Sequence, residues 1–159
     1  MNISIANYSP PSNQPGTFYL VTVDKTCGLT EKYVVRIHKQ LTSSVQELLL
    51  VQYPPNTVLN DFYCVDFYLL NRVGAGGYLY ERDGSMHYDF AEFRELLRDG
   101  VGAAMHDFIT NVSPKALIAI PDVDEFGPIY SRLMKHCAQK LGYNYNGYFE
   151  EYSVYVIET

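Results

Sequence analysis

Residues 62–71, "FYCVDFYLLN", constrain the fold more than any other stretch of this chain. Apolar side chains stand at successive positions, so a strand made of them has both faces covered and belongs in the middle of a sheet. Downstream, "DFAEFRELLRDGVGAAMHDFIT" (89–110) spaces Phe90, Phe93, Leu97, Val101, Ala104 and Phe108 three or four apart, one apolar helical stripe. Gly100 and Gly102 weaken the middle of that helix and are expected to bend it. "ALIAIP" (116–121) is a short buried strand. Strand, helix, strand in that order predicts two parallel strands joined by a right-handed crossover.

The remaining elements extend this frame on both sides. "TFYLVTVD" (17–24) and "KYVVRIHKQL" (32–41) are β-branched and aromatic, hence strands, the second with Tyr33, Val35, Ile37 and Lys39 on one face. "SSVQELLLVQY" (43–53) has a Leu run that could be helical, but its β-rich flanks and the stop at Pro54-Pro55 favour a third strand. The Pro-rich "SPPSNQPG" (9–16) makes residues 1–16 an irregular lead-in. "GPIYSRLMKHCAQKLG" (127–142) repeats the helical stripe with Ile129 or Tyr130, Leu133, Cys137 and Leu141, and Gly142 closes it. "YNYNGYFEEYSVYVIE" (143–158) is a terminal strand, with a hairpin about Asn146-Gly147. The expectation is one α/β (α+β) domain over residues 1–159, a meander followed by β-α-β-α-β, on a mixed, mostly antiparallel sheet.

Composition removes several function classes. The net charge is −6 and the sequence pI about 5.1, with Lys and Arg scattered, so the basic footprint of a nucleic-acid binder is missing. Three cysteines without a CxxC signal neither a disulfide framework nor a zinc knuckle; Cys64 and Cys137 sit in apolar patterns as core thiols. His38, His87, His106 and His136 lack the paired spacing of a zinc helix. The first residues lack the basic start and apolar run of a signal peptide, and no stretch reaches membrane-spanning length. These features predict a reduced, cytosolic, soluble protein. The 15 Tyr suit a protein-contact surface, or equally a half-buried sheet face.

The stretch "PKALIAIPDVDEFGPIYSRLMKHCAQKLGYNY" and the element order over roughly residues 62–159 resemble the GNAT acetyltransferase superfamily, in the manner of small phage-encoded members. No helical pair is read between the first two strands. The resemblance implies a GNAT-like domain and acetyl-CoA as cofactor. The family signature is Gln or Arg, two residues, Gly, one residue, then Gly or Ala. It falls here on Asn71, Arg72, Gly74 and Gly76, with Asn in the first place. By the same resemblance Asp66 is the base and Tyr130 the acid of an acyl transfer. A carboxylate in a buried strand should have a raised pKa; alternatively Asp66 points outward or pairs with Arg36. Tyr130 could instead be a core aromatic on its helical stripe.

A phosphate cradle needs a helix N-terminus directly after its glycines. Here "YLYERDGSMHY" intervenes, and Asp89 with Glu92 forms a capping box while Tyr88 with Phe93 fits a hydrophobic staple. Two carboxylates then stand where a pyrophosphate would dock, and residues 74–77 read as a hairpin turn. Asp122, Asp124 and Glu125 could hold a hard cation, but capping chemistry accounts for them better. The expectation is therefore a GNAT-like, phage-encoded protein with a degenerate cofactor site that binds a host protein. The alternative is an acetyl-CoA-dependent N-acetyltransferase of a protein or small amine. The Tyr-rich final strand offers an edge with which a second copy could form a homodimer.

Overall fold

A computed structural model describes residues 1–10, 13–72, 86–121 and 127–159. Seven strands form one sheet in the order β1-β2-β3-β4-β5-β7-β6. Strands β1 (Asn2–Asn7), β2 (Thr17–Asp24) and β3 (Thr30–His38) are an antiparallel meander, and β4 (Phe62–Leu69) pairs antiparallel with β3. β4 holds the fourth and central place, as its two-sided apolar pattern requires. It runs parallel to β5 (Ala116–Ala119) over four rungs, Phe62 opposite Ala116 through Val65 opposite Ala119. β7 (Tyr155–Glu158) and β6 (Asn144–Asn146) complete the sheet antiparallel.

The helical stretch between the two parallel strands has three parts. Helix α3 (Phe90–Glu95) runs into a π-helical turn, Leu96–Val101, and on into α4 (Gly102–Val112). The wider turn admits one extra residue, so Leu96 and Leu97 are both buried. Leu97, Val101, Ala104 and Phe108 face the core as expected, but Phe90 is exposed. Gly100 lets the turn lie against the sheet, since a Cβ there would stand 2.8 Å from Val21 Cγ1. Helix α5 (Gly127–Leu141) ends at Gly142, whose φ of +75° is the left-handed C′ conformation.

Three sequence expectations are corrected. Residues 43–53 do not form a strand: α1 (Ser43–Leu49) is capped by Thr42, and Val45 and Leu49, four apart, are buried. Pro55 does not stop a strand but occupies the first turn of α2 (Pro55–Asp61), where its fixed φ suits a helix and its missing N–H costs nothing. The lead-in is not irregular throughout, because β1 adds to the sheet edge with Ile3 and Ile5 against the main core. The terminal hairpin exists, but its strands are joined through a 3-10 turn, Gly147–Tyr152, rather than a tight turn at Asn146-Gly147.

Both faces of the sheet are covered. On one, Tyr33, Val35, Ile37, Val65 and Leu117 pack beneath α4 and α5. On the other lie two separate clusters. Phe62, Ile118 and Val156 are roofed by α1, α2 and the 147–152 turn; Phe18, Val34 and Tyr68 pack with Tyr8 and Leu70. Among the described residues no helix is long and apolar enough to cross a membrane. The turn expected at residues 74–77 and the acidic group Asp122, Asp124 and Glu125 lie outside the described residues.

Candidate functional site on the central strand

The gap between those two clusters holds the sheet's polar constellation. Register sets Arg36 opposite Asp66 and His38 opposite Cys64. Strand alternation turns all four side chains to the same face. His38 Nε2 lies 2.9 Å from an Asp66 carboxylate oxygen, and Arg36 Nη1 is 3.6 Å from the same oxygen. Arg36 also donates to the carbonyl of Pro15 and to Gln40 Oε1, tying the lead-in and the β3 exit to the centre of the sheet. Gly16, at φ +136°, passes so close that a Cβ would stand 2.9 Å from the Ile37 carbonyl oxygen. His38 is buried, and Arg36 and Asp66 are largely covered.

The backbone N–H of Gln40 donates to His38 Nδ1 at 3.1 Å. That nitrogen is therefore the acceptor, and Nε2 carries the hydrogen and donates it to Asp66. Both ring nitrogens are committed, so His38 is not available to deprotonate Cys64. Burial, reinforced by the Asp66 charge, pushes the Cys64 thiol up to about 12. His38, Cys64 and Asp66 have donor atoms within 4.8 Å of one another, the spacing of a metal centre. Their chemistry does not fit one. A metal on Nε2 would require hydrogen on Nδ1, against the Gln40 N–H, and Arg36 places a positive charge beside the carboxylate.

Tyr130 stands on the opposite face of the sheet. It extends from α5, packs against the main core with its ring 6.2 Å from that of Tyr155, and lines a cavity of about 20 Å³ with Val65, Phe67, Ala119 and Met134. That volume admits one water, but the lining is apolar. The cavity lies where β5 ends at Ala119 while β4 runs on to Leu69. Asp66 and Tyr130 are thus separated by the sheet itself. Asn71 and Arg72 occupy the 3-10 turn Leu70–Arg72 that ends β4, with Asn71 exposed. Gly74 and Gly76 lie outside the described residues.

The start of α3 is already occupied by its own side chains. Asp89 accepts from the Glu92 N–H at 2.8 Å while Glu92 accepts from the Asp89 N–H at 3.2 Å, the expected capping box. Tyr88 and Phe93, read as a staple, both pack against the main core. Lys25 Nζ sits 2.6 Å from Glu92 Oε2 and donates to the Met86 carbonyl, and it holds the Glu92 carboxyl below the usual range. With two carboxylates at that terminus and the Asp89 and Glu92 N–H groups taken by them, the described residues do not fit a bound pyrophosphate.

His38 and Gln40 are the site residues that sequence reasoning missed. Arg36 and His38 alternate on one strand as Cys64 and Asp66 do on the other, a signal visible only once the register is known. No family model, no curated protein and no solved structure matches this chain.

Proposed function

We propose that this chain is a GNAT-like domain that acts by binding another protein and whose cofactor end is degenerate. Its resemblance to small phage-encoded proteins makes a host cytosolic protein the partner. The observation that carries this reading is the engagement of Asp66: the one carboxylate on the central strand is held by His38 and Arg36. An acyl transfer needs a free base within reach of the amine and an acid on the same side. Asp66 is neither free nor on the side of Tyr130. The self-capped start of α3 supports the same reading.

The second reading, an acetyl-CoA-dependent N-acetyltransferase, draws on the sheet. The parallel β4–β5 pair and the helices after each strand are what the resemblance implies for an acetyl-CoA half. Thermal unfolding with and without acetyl-CoA separates the two. The expected result is no shift at millimolar acetyl-CoA. Binding would stabilise the fold by roughly 2.7 kcal/mol at a hundredfold excess over Kd. Such a shift, abolished by Gly74→Trp, would establish the enzyme reading.

A further inference from the structure

The layer over the second face, built from α1, α2 and the 147–152 turn, has an unusual outer surface. Val45, Leu49 and Val58 point down into the core. Outward stand Val51 (64% exposed), Leu59 (57%), Tyr152 (52%), Tyr148 (46%) and Leu50 (44%). These side chains stand on or directly beside the three elements that cover the second core cluster. Tyr53 stacks on Phe149 at 5.9 Å, and Asn146 donates to Gln52 Oε1 at 2.9 Å, so the end of α1 abuts the turn bearing Tyr148. Scattered single exposed apolar residues need no explanation, but five on one layer mark a contact surface.

The charge of this layer is one-sided. α1, α2 and the 147–152 turn contain no Lys or Arg, yet carry Glu47, Asp61, Glu150 and Glu151. Glu47 and Glu151 are exposed beside the apolar group. Lys115 and Lys135 border the layer, and Lys135 is spent on Glu150 at 2.6 Å. The three covering elements are two helices and a 3-10 turn rather than an open sheet edge, so what they offer a partner is side chains. A partner segment must then satisfy its own backbone, which a helix does.

We propose that the α1–α2–turn layer is the docking surface for a basic amphipathic helix of the partner protein. The helix lays an apolar stripe on Val51, Leu59 and Tyr148 and sets its Lys and Arg against Glu47 and Glu151. The assignment rests on the protein-binding reading above and names where and to what chemistry the chain binds. Complementary charge guides the encounter, and the central apolar side chains hold the complex.

The test uses the full chain and a fluorescently labelled helical peptide of about 18 residues, Leu on one face and Lys on the other. A second peptide carries Glu in place of Lys. Anisotropy titrations should show the Lys peptide binding at least about tenfold tighter than the Glu peptide. Val51→Asp with Leu59→Asp should abolish that binding, while Phe90→Asp, at an exposed aromatic on α3, leaves it unchanged. All three substituted side chains are exposed, and circular dichroism with thermal unfolding confirms folding of each variant. Equal affinity for both peptides, binding of neither, or binding that survives the double substitution overturns the assignment. A loss with Phe90→Asp as large as with the double variant does the same. Failure here with no acetyl-CoA shift removes this surface alone; an acetyl-CoA shift removes the protein-binding reading itself.

Discussion

Asp66 is the residue on which the functional readings divide. If its carboxylate serves the fold, Asp66→Asn leaves Arg36 without its counter-charge in a largely covered position and weakens the His38 hydrogen bond. The expected cost is about 1–3 kcal/mol, read as a lower urea midpoint at unchanged slope. If it serves catalysis, stability holds and acetyl transfer from acetyl-CoA disappears. Pairing with Arg36 was one of the alternatives open to the sequence, because both residues stand in strong strand patterns. His38 was not, since a histidine gains a partner only through cross-strand register, and a slip of one residue would turn it to the other face. The locked tautomer depends on the Gln40 backbone, which no side-chain pattern encodes.

Among the elements, those specified locally were the readable ones. The capping box of α3 and the glycine closing α5 depend on residues within one turn of each other, and both stand where the sequence put them. α1 was misread because Val45, Leu48 and Leu49 satisfy either period over so short a run, and because Pro54-Pro55 stops a strand as well as it starts a helix. The π turn was unreadable for another reason: its extra residue fits only because Gly100 lets the backbone approach Val21 of the sheet. Gly100→Ala should therefore destabilise by about 1–3 kcal/mol, outweighing the gain of about 1 kcal/mol in helix propensity. Gly102→Ala should cost less, since its Cβ would meet only Cys137 Sγ at 3.3 Å and the Leu97 carbonyl at 3.5 Å. Thermal midpoints of the two variants give that order or refute it.

Across the whole molecule, several carboxyls tie distant segments together, and their protonation sets the acid limit of the fold. Glu92 is held low by Lys25, just past the end of β2, and Glu150 chiefly by Lys135. Burial works to raise Glu158, but hydrogen bonds from Tyr53, Asn144 and Asn146 outweigh it and leave it lowered. Each folded value lies below the unfolded one, so their contribution is fully present above the ordinary carboxylate pKa of about 4.3 and is lost as pH falls through the depressed values. Urea midpoints should thus be level between about pH 5 and 7 and drop steeply below about pH 4. A midpoint that rises on acidification would contradict these assignments. The central strand, the parallel pair and the β2–β3 pair were readable because two-sided burial and element order leave few topologies open. The split of the second face into two clusters was not, because it depends on where α1 and α2 fold back. The four-rung seam between β4 and β5 has a kinetic corollary. Every pairing from β1 through β3 joins chain neighbours, whereas Phe62 must wait for Ala116 to return across a long excursion before the C-terminal strands gain anything to align on. Assembly should therefore be gated by that one distant meeting, with the meander standing as a finished template beforehand.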